Sequence, residues 1–452
     1  MWQHIRTSPL SFLAVAVFCW ASLHDIERRH NWRERNVLNW DIEAYYHYLP
    51  ATFIHGDPRD LSFVRAIDEV IHPGSDSREY GIEHHPVTGG SYLKYPYGTA
   101  LFELPGFLIA HASCSSRWSS DPADGYSAPY QLAVQLSTAF AVIIALFVLR
   151  HFLLRHCDDR SSAVALLLLA MGTNLYYYST VATGMSHPYL FLLTAVLLDA
   201  TDRWHRTPRM ASAITIGAVL GVAVITRPTE IALALIPLLW CVFPGEARRQ
   251  KWEKLRSHQR QLIATFSVAL LAVLPQLLYW KATTGFFIFY SYGEEGFDFL
   301  RPHVIDGLFG FRKGWFVYSP LVVFGFMGLV LVLRDRRMRG EAIPAAIYFT
   351  VAIWVAFSWY QWWYGGSFGC RALIGALPLL ALPTAQLAQR IFRSHWIAIA
   401  AMLLVLYAGI RLNYFQMEQY MGTIIHWDSM TWDRYWEVFG EDHWERLKPF
   451  PR

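Results

Sequence analysis

The strongest constraint on this chain is a series of apolar blocks, each close to the length that crosses a membrane. A bilayer core is crossed by about 20 apolar helical residues, and the blocks here are separated by short polar or basic links. Charged residues make up 16% of the chain, whereas soluble domains contain about 25%. The sequence therefore predicts an all-α polytopic membrane protein.

About eleven transmembrane helices are predicted from these blocks, each roughly the length of a span. They are 8–24, 129–150, 161–180, 187–202, 211–226, 229–243, 262–280, 316–333, 342–359, 372–388 and 395–411. The long polar stretch 25–128 is predicted as a first external loop with juxtamembrane helices, and long loops usually carry function. Residues 412–452 are predicted as an external amphipathic tail. The whole chain, 1–452, is predicted to be one domain.

Basic links between the blocks predict the orientation. Lys and Arg concentrate in short cytoplasmic loops, and the basic links here are 150–160, 203–209, 248–260, 334–339 and 390–393. They share one side only if the apolar stretch 97–112 does not cross the membrane. Because that stretch is short and contains Glu103 and Pro105, we predict that it lies in the interface. The long loop and the tail then face outward.

Composition and motifs limit the chemistry. A net charge of +4 is too small to predict a nucleic-acid partner. The five cysteines are scattered without metal-type spacing, and the sequence has no nucleotide-binding glycine loop, nucleophile elbow or zinc motif. No cofactor or metal site is expected, although the use of a divalent metal stays open. A nucleotide-driven pump and a triad hydrolase are disfavoured.

The candidate catalytic residue is Asp41, which follows the first apolar block and precedes a tyrosine-rich run. Near the membrane boundary a carboxylate avoids the cost of roughly 2.5–3.5 kcal/mol at the bilayer centre, so it stays ionised and can act as a general base. Glu43 is the second candidate, although the two side chains would point roughly 200° apart on a helix. An equally weighted alternative is that Asp41 is the N-cap of a juxtamembrane helix.

Outward-facing cations are candidates for binding a phosphate, because a preorganised cation stabilises charge on a leaving oxygen. For Lys94 a lysine snorkelling beside interfacial tyrosines is the alternative, and for Arg227 a local partner is Glu230. In descending order the candidates are Arg227, Arg312 and Lys313, followed by Lys94 and Arg371.

Aromatic and polar residues on the same side are candidates for contacting a sugar or an acceptor. Dense aromatic residues can also form an interfacial belt, and His187 equally fits a helix start before a proline. The candidates are Tyr45, Tyr46, His187, Tyr292, Glu294, Trp362 and Trp363.

In this order, the motifs resemble the GT-C class of membrane glycosyltransferases, and more closely bacterial relatives of aminoarabinose and protein O-mannosyl transferases. The likeness covers nearly the whole chain. The matching segments are Asp41 to Pro50, Lys94 to Pro96, Ser186 to Pro188, Thr226 to Pro228, Phe311 to Trp315, and Trp362 to Gly369.

The resemblance implies a polyprenyl-phosphate sugar donor and an inverting transfer, with Asp41 at the position of the carboxylate that deprotonates the acceptor. The family's frequent Asp-Glu pair is Asp-Ile-Glu here, so a share for Glu43 stays open. A lipid or glycan acceptor is expected, since no large soluble domain is attached.

The predicted location is the bacterial inner membrane, among membrane lipids, with the site facing the periplasm or exterior. A carrier or flippase of a lipid-linked glycan is the alternative function. The notable residues lie on one side of the membrane, and this asymmetry favours the enzyme.

Overall fold

The computed structural model describes residues 8–71, 79–242 and 245–443, and most of these are helical. Short π- or 3-10 helices cover Ala51–His55, Pro228–Ala234 and Arg371–Leu380. The α-helices of the first half are α1 (Pro9–Arg29), α2 (Trp40–Tyr46), α3 (Tyr48–Pro50), α4 (Val64–Ile71), α5 (Gly98–Cys114), α6 (Ala128–Leu153), α7 (Asp159–Met171), α8 (Leu175–Thr180), α9 (Ser186–Arg206), α10 (Met210–Thr226) and α11 (Leu235–Leu239). Those of the second half are α12 (Gly245–Ser257), α13 (Gln259–Thr284), α14 (Val304–Phe309), α15 (Trp315–Tyr318), α16 (Val322–Arg334), α17 (Arg339–Ser358), α18 (Ala381–Phe392), α19 (Trp396–Met421) and α20 (Trp432–Val438).

Within the residues that the structure describes, six helical segments are long and apolar enough to cross a membrane. They are α1, α6, α13, α17, α19 and the continuous segment Arg371–Phe392. The other predicted spans are helical as well, but they are short or interrupted, except α9, which carries charged residues in its last turns. The predicted fold class, an all-α polytopic membrane protein, is confirmed.

The five basic links meet at one end of the helix bundle, which we call the basic end. The N-terminus of α1 lies there too. The joining contacts are Arg150 Nη2 to the Ser8 carbonyl (2.8 Å), Arg155 Nε to Asp202 (2.8 Å), Lys254 Nζ to the His205 carbonyl (2.6 Å), the Cys241 N–H to the Gly340 carbonyl (3.0 Å) and Gln386 Nε2 to the His156 carbonyl (3.1 Å).

Helix α5 contains most of the apolar stretch predicted to lie in the interface, and both its ends contact the opposite end of the bundle. A Cβ atom on Gly98 would lie 2.4 Å from the backbone nitrogen of Thr226, the last residue of α10. His111 Nδ1 lies 2.7 Å from the hydroxyl of Tyr130, in the first turn of α6. The helix therefore does not run from one end of the bundle to the other.

A two-stranded antiparallel sheet closes the long first loop. Strand β1 (Ile82–His84) pairs with β2 (Ser91–Leu93), and Glu83 is opposite Tyr92. Just beyond β2, the Lys94 N–H donates to the Gly81 carbonyl at 2.8 Å. The sheet brings the two sides of this loop together beside α2.

Candidate functional site

Helix α2 presents the Asp41 carboxylate at the end of the bundle opposite the basic end. Asn39 precedes the helix with an extended backbone and is its N-cap, and Asp41 lies in the first turn, where the helix dipole favours an acidic side chain. Ile42 and Ala44 of this short helix are buried. The alternative that Asp41 is the N-cap is wrong, because Asn39 holds that position and Asp41 lies inside the helix.

Three side chains donate to Asp41. Arg371 Nη2 lies 2.7 Å from Oδ2. The hydroxyls of Tyr95 and Tyr80 lie 2.6 Å and 3.1 Å from Oδ1. Burial opposes ionisation, but the Arg371 charge and these hydrogen bonds outweigh it, so that the pKa of Asp41 lies below its ordinary value. The carboxylate is therefore ionised at neutral pH.

A small aromatic cluster surrounds this carboxylate. The rings of Tyr45 and Tyr95 lie 4.5 Å apart, and Tyr292 packs against Tyr95 at 5.9 Å. The Tyr45 hydroxyl lies 3.3 Å from Ser186 Oγ at the start of α9. Five segments of the chain thus meet around Asp41, and they include the predicted residues Tyr45, Tyr292 and Arg371.

Arg227 lies beside the same cluster. Its guanidinium carbon is 5.2 Å from the ring centroid of Tyr364. In the described part of the chain no carboxylate forms an ion pair with it within 4.0 Å. The sequence alternative, Glu230, instead accepts a hydrogen bond of 2.7 Å from Tyr348. Arg227 therefore feels the charge of Glu230 without forming an ion pair with it, and an anionic ligand can approach Arg227 without displacing a described carboxylate.

Two buried nitrogen atoms near these arginines also lack a hydrogen-bond partner within the described segments. They are His187 Nδ1 and Arg371 Nε. A buried donor without a partner is uncommon and costs free energy. The same part of the molecule therefore contains Arg227, which has no ion pair with a described carboxylate, and two buried nitrogen atoms without a hydrogen-bond partner.

Lys94 already has a carboxylate partner. Its Nζ lies 2.5 Å from Glu295 Oε1, and both side chains are partly buried. The ammonium also lies 5.6 Å and 5.8 Å from the ring centroids of Tyr95 and Tyr292. Lys94 is thus at the edge of the aromatic cluster, and an anionic ligand would compete with Glu295 for it.

Arg312 pairs with the tail. Its Nη2 lies 2.9 Å from Asp428 Oδ2, and its Nε donates to the Asp428 carbonyl at 2.9 Å. The guanidinium carbon lies 3.6 Å from the ring of Trp363. In this structure, Arg312 therefore attaches the tail to the bundle.

Lys313 is buried under the same tail. Its ammonium donates to the carbonyl oxygens of Ser367 and Trp427. Burial lowers its pKa to about 7, and the nearby charges of Arg371 and Arg312 add to the effect, while Asp428 opposes it. Here too, the contacts are those of a residue that anchors the tail.

The remaining predicted residues differ in their contacts and in their exposure. Tyr46 faces the interior, where its hydroxyl donates to the Gly125 carbonyl at 2.5 Å. Trp362 stacks on His303 at 5.5 Å, whereas Glu294 is exposed. Glu43 is buried, 3% exposed, and helical geometry turns its side chain roughly 200° from that of Asp41.

Two residues that donate to Asp41, Tyr95 and Tyr80, were not among the site residues predicted from the sequence. Tyr95 lies in the Lys94 to Pro96 segment that the sequence singled out, but the sequence did not predict its hydrogen bond to Asp41. Tyr80 lies in an ordinary loop, and no motif marks it. In the described ranges, no group of three or more His, Cys, Asp or Glu side chains is arranged to hold a metal ion.

These features define a multi-helix membrane protein whose first long loop carries a partly buried, arginine-paired carboxylate. No protein-family model matches the chain, and no curated protein matches it. Among solved structures, it is similar to the crystal structure of ArnT from Cupriavidus metallidurans in the apo state. The two are 14% identical with a TM-score of 0.51, and the match covers 91% of this chain and 75% of that one. The chain thus has the ArnT fold, which confirms the resemblance to the GT-C class at the level of the fold.

Proposed function

We propose that this protein is an inverting glycosyltransferase that moves a sugar from a polyprenyl-phosphate donor to a lipid or glycan acceptor. Asp41 is the general base. The observation that carries the proposal is the Asp41 carboxylate paired with the partly buried Arg371, with Arg227, which forms no ion pair with a described carboxylate, close to the same tyrosines. The fold shared with ArnT supports the same class of reaction.

The reaction is a single displacement. The acceptor hydroxyl gives its proton to Asp41 while its oxygen forms a bond to the anomeric carbon. The bond from that carbon to the phosphate oxygen breaks, and the polyprenyl phosphate leaves with the electron pair. Inversion follows because the acceptor attacks opposite the leaving group.

Arg227 is the cation that we assign to the departing phosphate. A preorganised positive charge stabilises negative charge that grows on the leaving oxygen, and in a partly dry site the interaction is stronger than in water. Arg371 has a different task, since it already pairs with Asp41 and keeps that carboxylate ionised. Lys94 can join the phosphate only by leaving Glu295.

The extracytoplasmic face of the bacterial inner membrane is the proposed location of the reaction. Basic links face the cytoplasm in most polytopic membrane proteins, and here they gather at the end of the bundle opposite Asp41. The donor lipid would reach the site from the outer leaflet. Labelling of single cysteines from either side of sealed vesicles would test this orientation.

The activity is tested with purified protein in lipid nanodiscs and a panel of undecaprenyl-phosphate-linked radiolabelled sugars. A transferase releases free undecaprenyl phosphate and a glycosylated acceptor. Asp41→Asn should lower the rate by at least about a hundredfold, in the range for loss of a general base. Asp60→Asn is the matched control, because Asp60 is an exposed acid of the same loop.

Normal transfer by Asp41→Asn would remove the assignment of the base. Movement of the lipid-linked sugar across vesicles without bond cleavage would identify a carrier instead. An assay with wild type, Asp60→Asn and Asp41→Asn separates these outcomes in one experiment.

A further inference from the structure

The acceptor of the proposed reaction must reach Asp41, yet most of this carboxylate is already hydrogen-bonded. A carboxylate offers about four lone-pair positions, and Arg371, Tyr95 and Tyr80 fill three. Tyr95 is 8% exposed and Arg371 is ionically paired. The Tyr80 contact, at 3.1 Å, is the longest of the three, and its residue is only half-buried. Tyr80 is therefore the donor that a ligand can most easily replace.

The loop that carries Tyr80 is docked against α2. Gly81 follows it with a φ of +79°, and a Cβ atom there would lie 2.4 Å from the Cβ atom of Ala44. Only glycine allows this approach and this backbone conformation. The close packing holds the Tyr80 hydroxyl over Asp41.

Trp40 packs beside Tyr80. It is 53% exposed, and its ring lies edge-on to that of Tyr80, with 5.4 Å between centroids. Its φ is 46°, a left-handed conformation that is uncommon for a bulky residue and costs free energy. The chain thus leaves a large aromatic side chain uncovered next to the candidate base, in a strained conformation.

We propose that Trp40 and Tyr80 form the acceptor subsite, and that the acceptor is a sugar. One sugar hydroxyl replaces the Tyr80 hydroxyl on Asp41 Oδ1, and the sugar ring packs against Trp40. A proton to be abstracted must lie within about 2.6–3.2 Å of its base, measured between heavy atoms, and the Tyr80 oxygen occupies such a position. In the absence of an acceptor, the Tyr80 hydroxyl then donates the hydrogen bond that an acceptor hydroxyl would otherwise donate to Asp41.

This inference rests on the proposed transferase function, but it is tested by binding without a donor. The probes are methyl β-glycosides of glucose, galactose, mannose and arabinose, with 1,2-propanediol as an acyclic hydroxyl compound. Their affinities for the full-length protein in nanodiscs are measured by saturation-transfer NMR. Wild type should bind at least one glycoside more tightly than the diol.

Tyr80→Phe keeps the ring and removes the competing hydroxyl. It should bind the glycoside about three- to tenfold more tightly, because one hydrogen bond to the carboxylate no longer has to be broken. Trp40→Ala should bind at least about threefold more weakly, since the ring contact is lost. Trp118→Ala is the matched control, because Trp118 is an 84% exposed tryptophan of the same loop, and its affinity should equal that of wild type.

Several results would overturn the subsite. They are equal or weaker binding by Tyr80→Phe, unchanged binding by Trp40→Ala, and failure of wild type to prefer a glycoside over the diol. Thermal unfolding checks that each variant is folded, and Trp40→Phe replaces Trp40→Ala if the latter is not. If the binding results hold and wild type transfers no sugar, the proposed reaction fails while the sugar subsite stands.

Discussion

Removing Arg371 tests whether the ionised state of Asp41 depends on its buried cation. The two side chains are 15% and 14% exposed, and their closest nitrogen and oxygen lie 2.7 Å apart. Arg371→Met keeps much of the apolar stem but leaves the carboxylate without its cation. Loss of one partner of a buried pair costs about 3–5 kcal/mol. We expect about 3 kcal/mol here, because Tyr80 and Tyr95 continue to donate to Asp41.

The assay is a double-mutant cycle of Asp41→Asn, Arg371→Met and the double variant. Free energies of unfolding are measured by single-molecule forced unfolding in bicelles. The coupling energy should be about 2 kcal/mol or more, since residues in one buried network couple by up to about 3 kcal/mol. The control is the more exposed pair of Arg312 and Asp428, 30% and 20% exposed, where about 1 kcal/mol or less is expected.

The same variant predicts a change in pH dependence. Because the folded-state pKa of Asp41 is lowered, its stabilising contribution is present above the ordinary carboxyl pKa and is lost as the pH falls through the lowered value. Without Arg371 the pKa of Asp41 rises. The acid limbs of stability and of any transfer activity should both move to higher pH. Additive single-variant effects, or an unmoved acid limb, would refute the reasoning.

Three further predictions concern the supports of the site and the phosphate. Gly81→Ala should destabilise the protein by about 1–3 kcal/mol, because the added methyl group meets Ala44. Gly89 also has a positive φ, but a Cβ atom there would have no heavy atom within 4 Å, so Gly89→Ala should cost less. Both are compared by thermal unfolding, and equal costs would contradict the packing argument. The pKa of Lys313 is about 7 in the folded protein against 10.5 in the unfolded chain. The stability of wild type relative to Lys313→Met should therefore rise by up to about 1.4 kcal/mol per pH unit between pH 7 and 10. A stability difference that is independent of pH would argue against a neutral buried amine. Arg227→Met should weaken binding of undecaprenyl phosphate by about tenfold or more, with the loss of a charged hydrogen bond, while unchanged affinity in a flotation assay would exclude Arg227 from the phosphate site.

The general architecture could be predicted from sequence because its physical cause is local. An apolar block of span length forms a helix wherever it lies, since a bilayer leaves no other partner for its backbone groups. The prediction that the stretch containing α5 does not cross the membrane used both the basic links and its own short length with Glu103 and Pro105. The short or interrupted helices at 228–239 and 315–334 were missed as such, because apolar periodicity does not report a change to 3-10 geometry or a break after Tyr318.

The candidate site was only partly predictable. Asp41 and Arg371 were both singled out, but not as a pair, because 330 residues separate them and only the packing of the bundle brings them together. Arg312 and Lys313 looked like free cations, since the tail that binds them lies more than a hundred residues further on. Tyr80 carried no signal at all.

The sequence by itself determined a helical membrane protein, which end of each span is basic, and an acidic residue in the long loop after the first apolar block. These properties depend on hydrophobicity and charge, which neighbouring residues already specify. Only the tertiary structure decided which cation pairs with Asp41 and which tyrosine hydroxyls donate to it. Those outcomes depend on contacts between distant segments, and a contact of a few ångströms is fixed by the packing of the whole bundle.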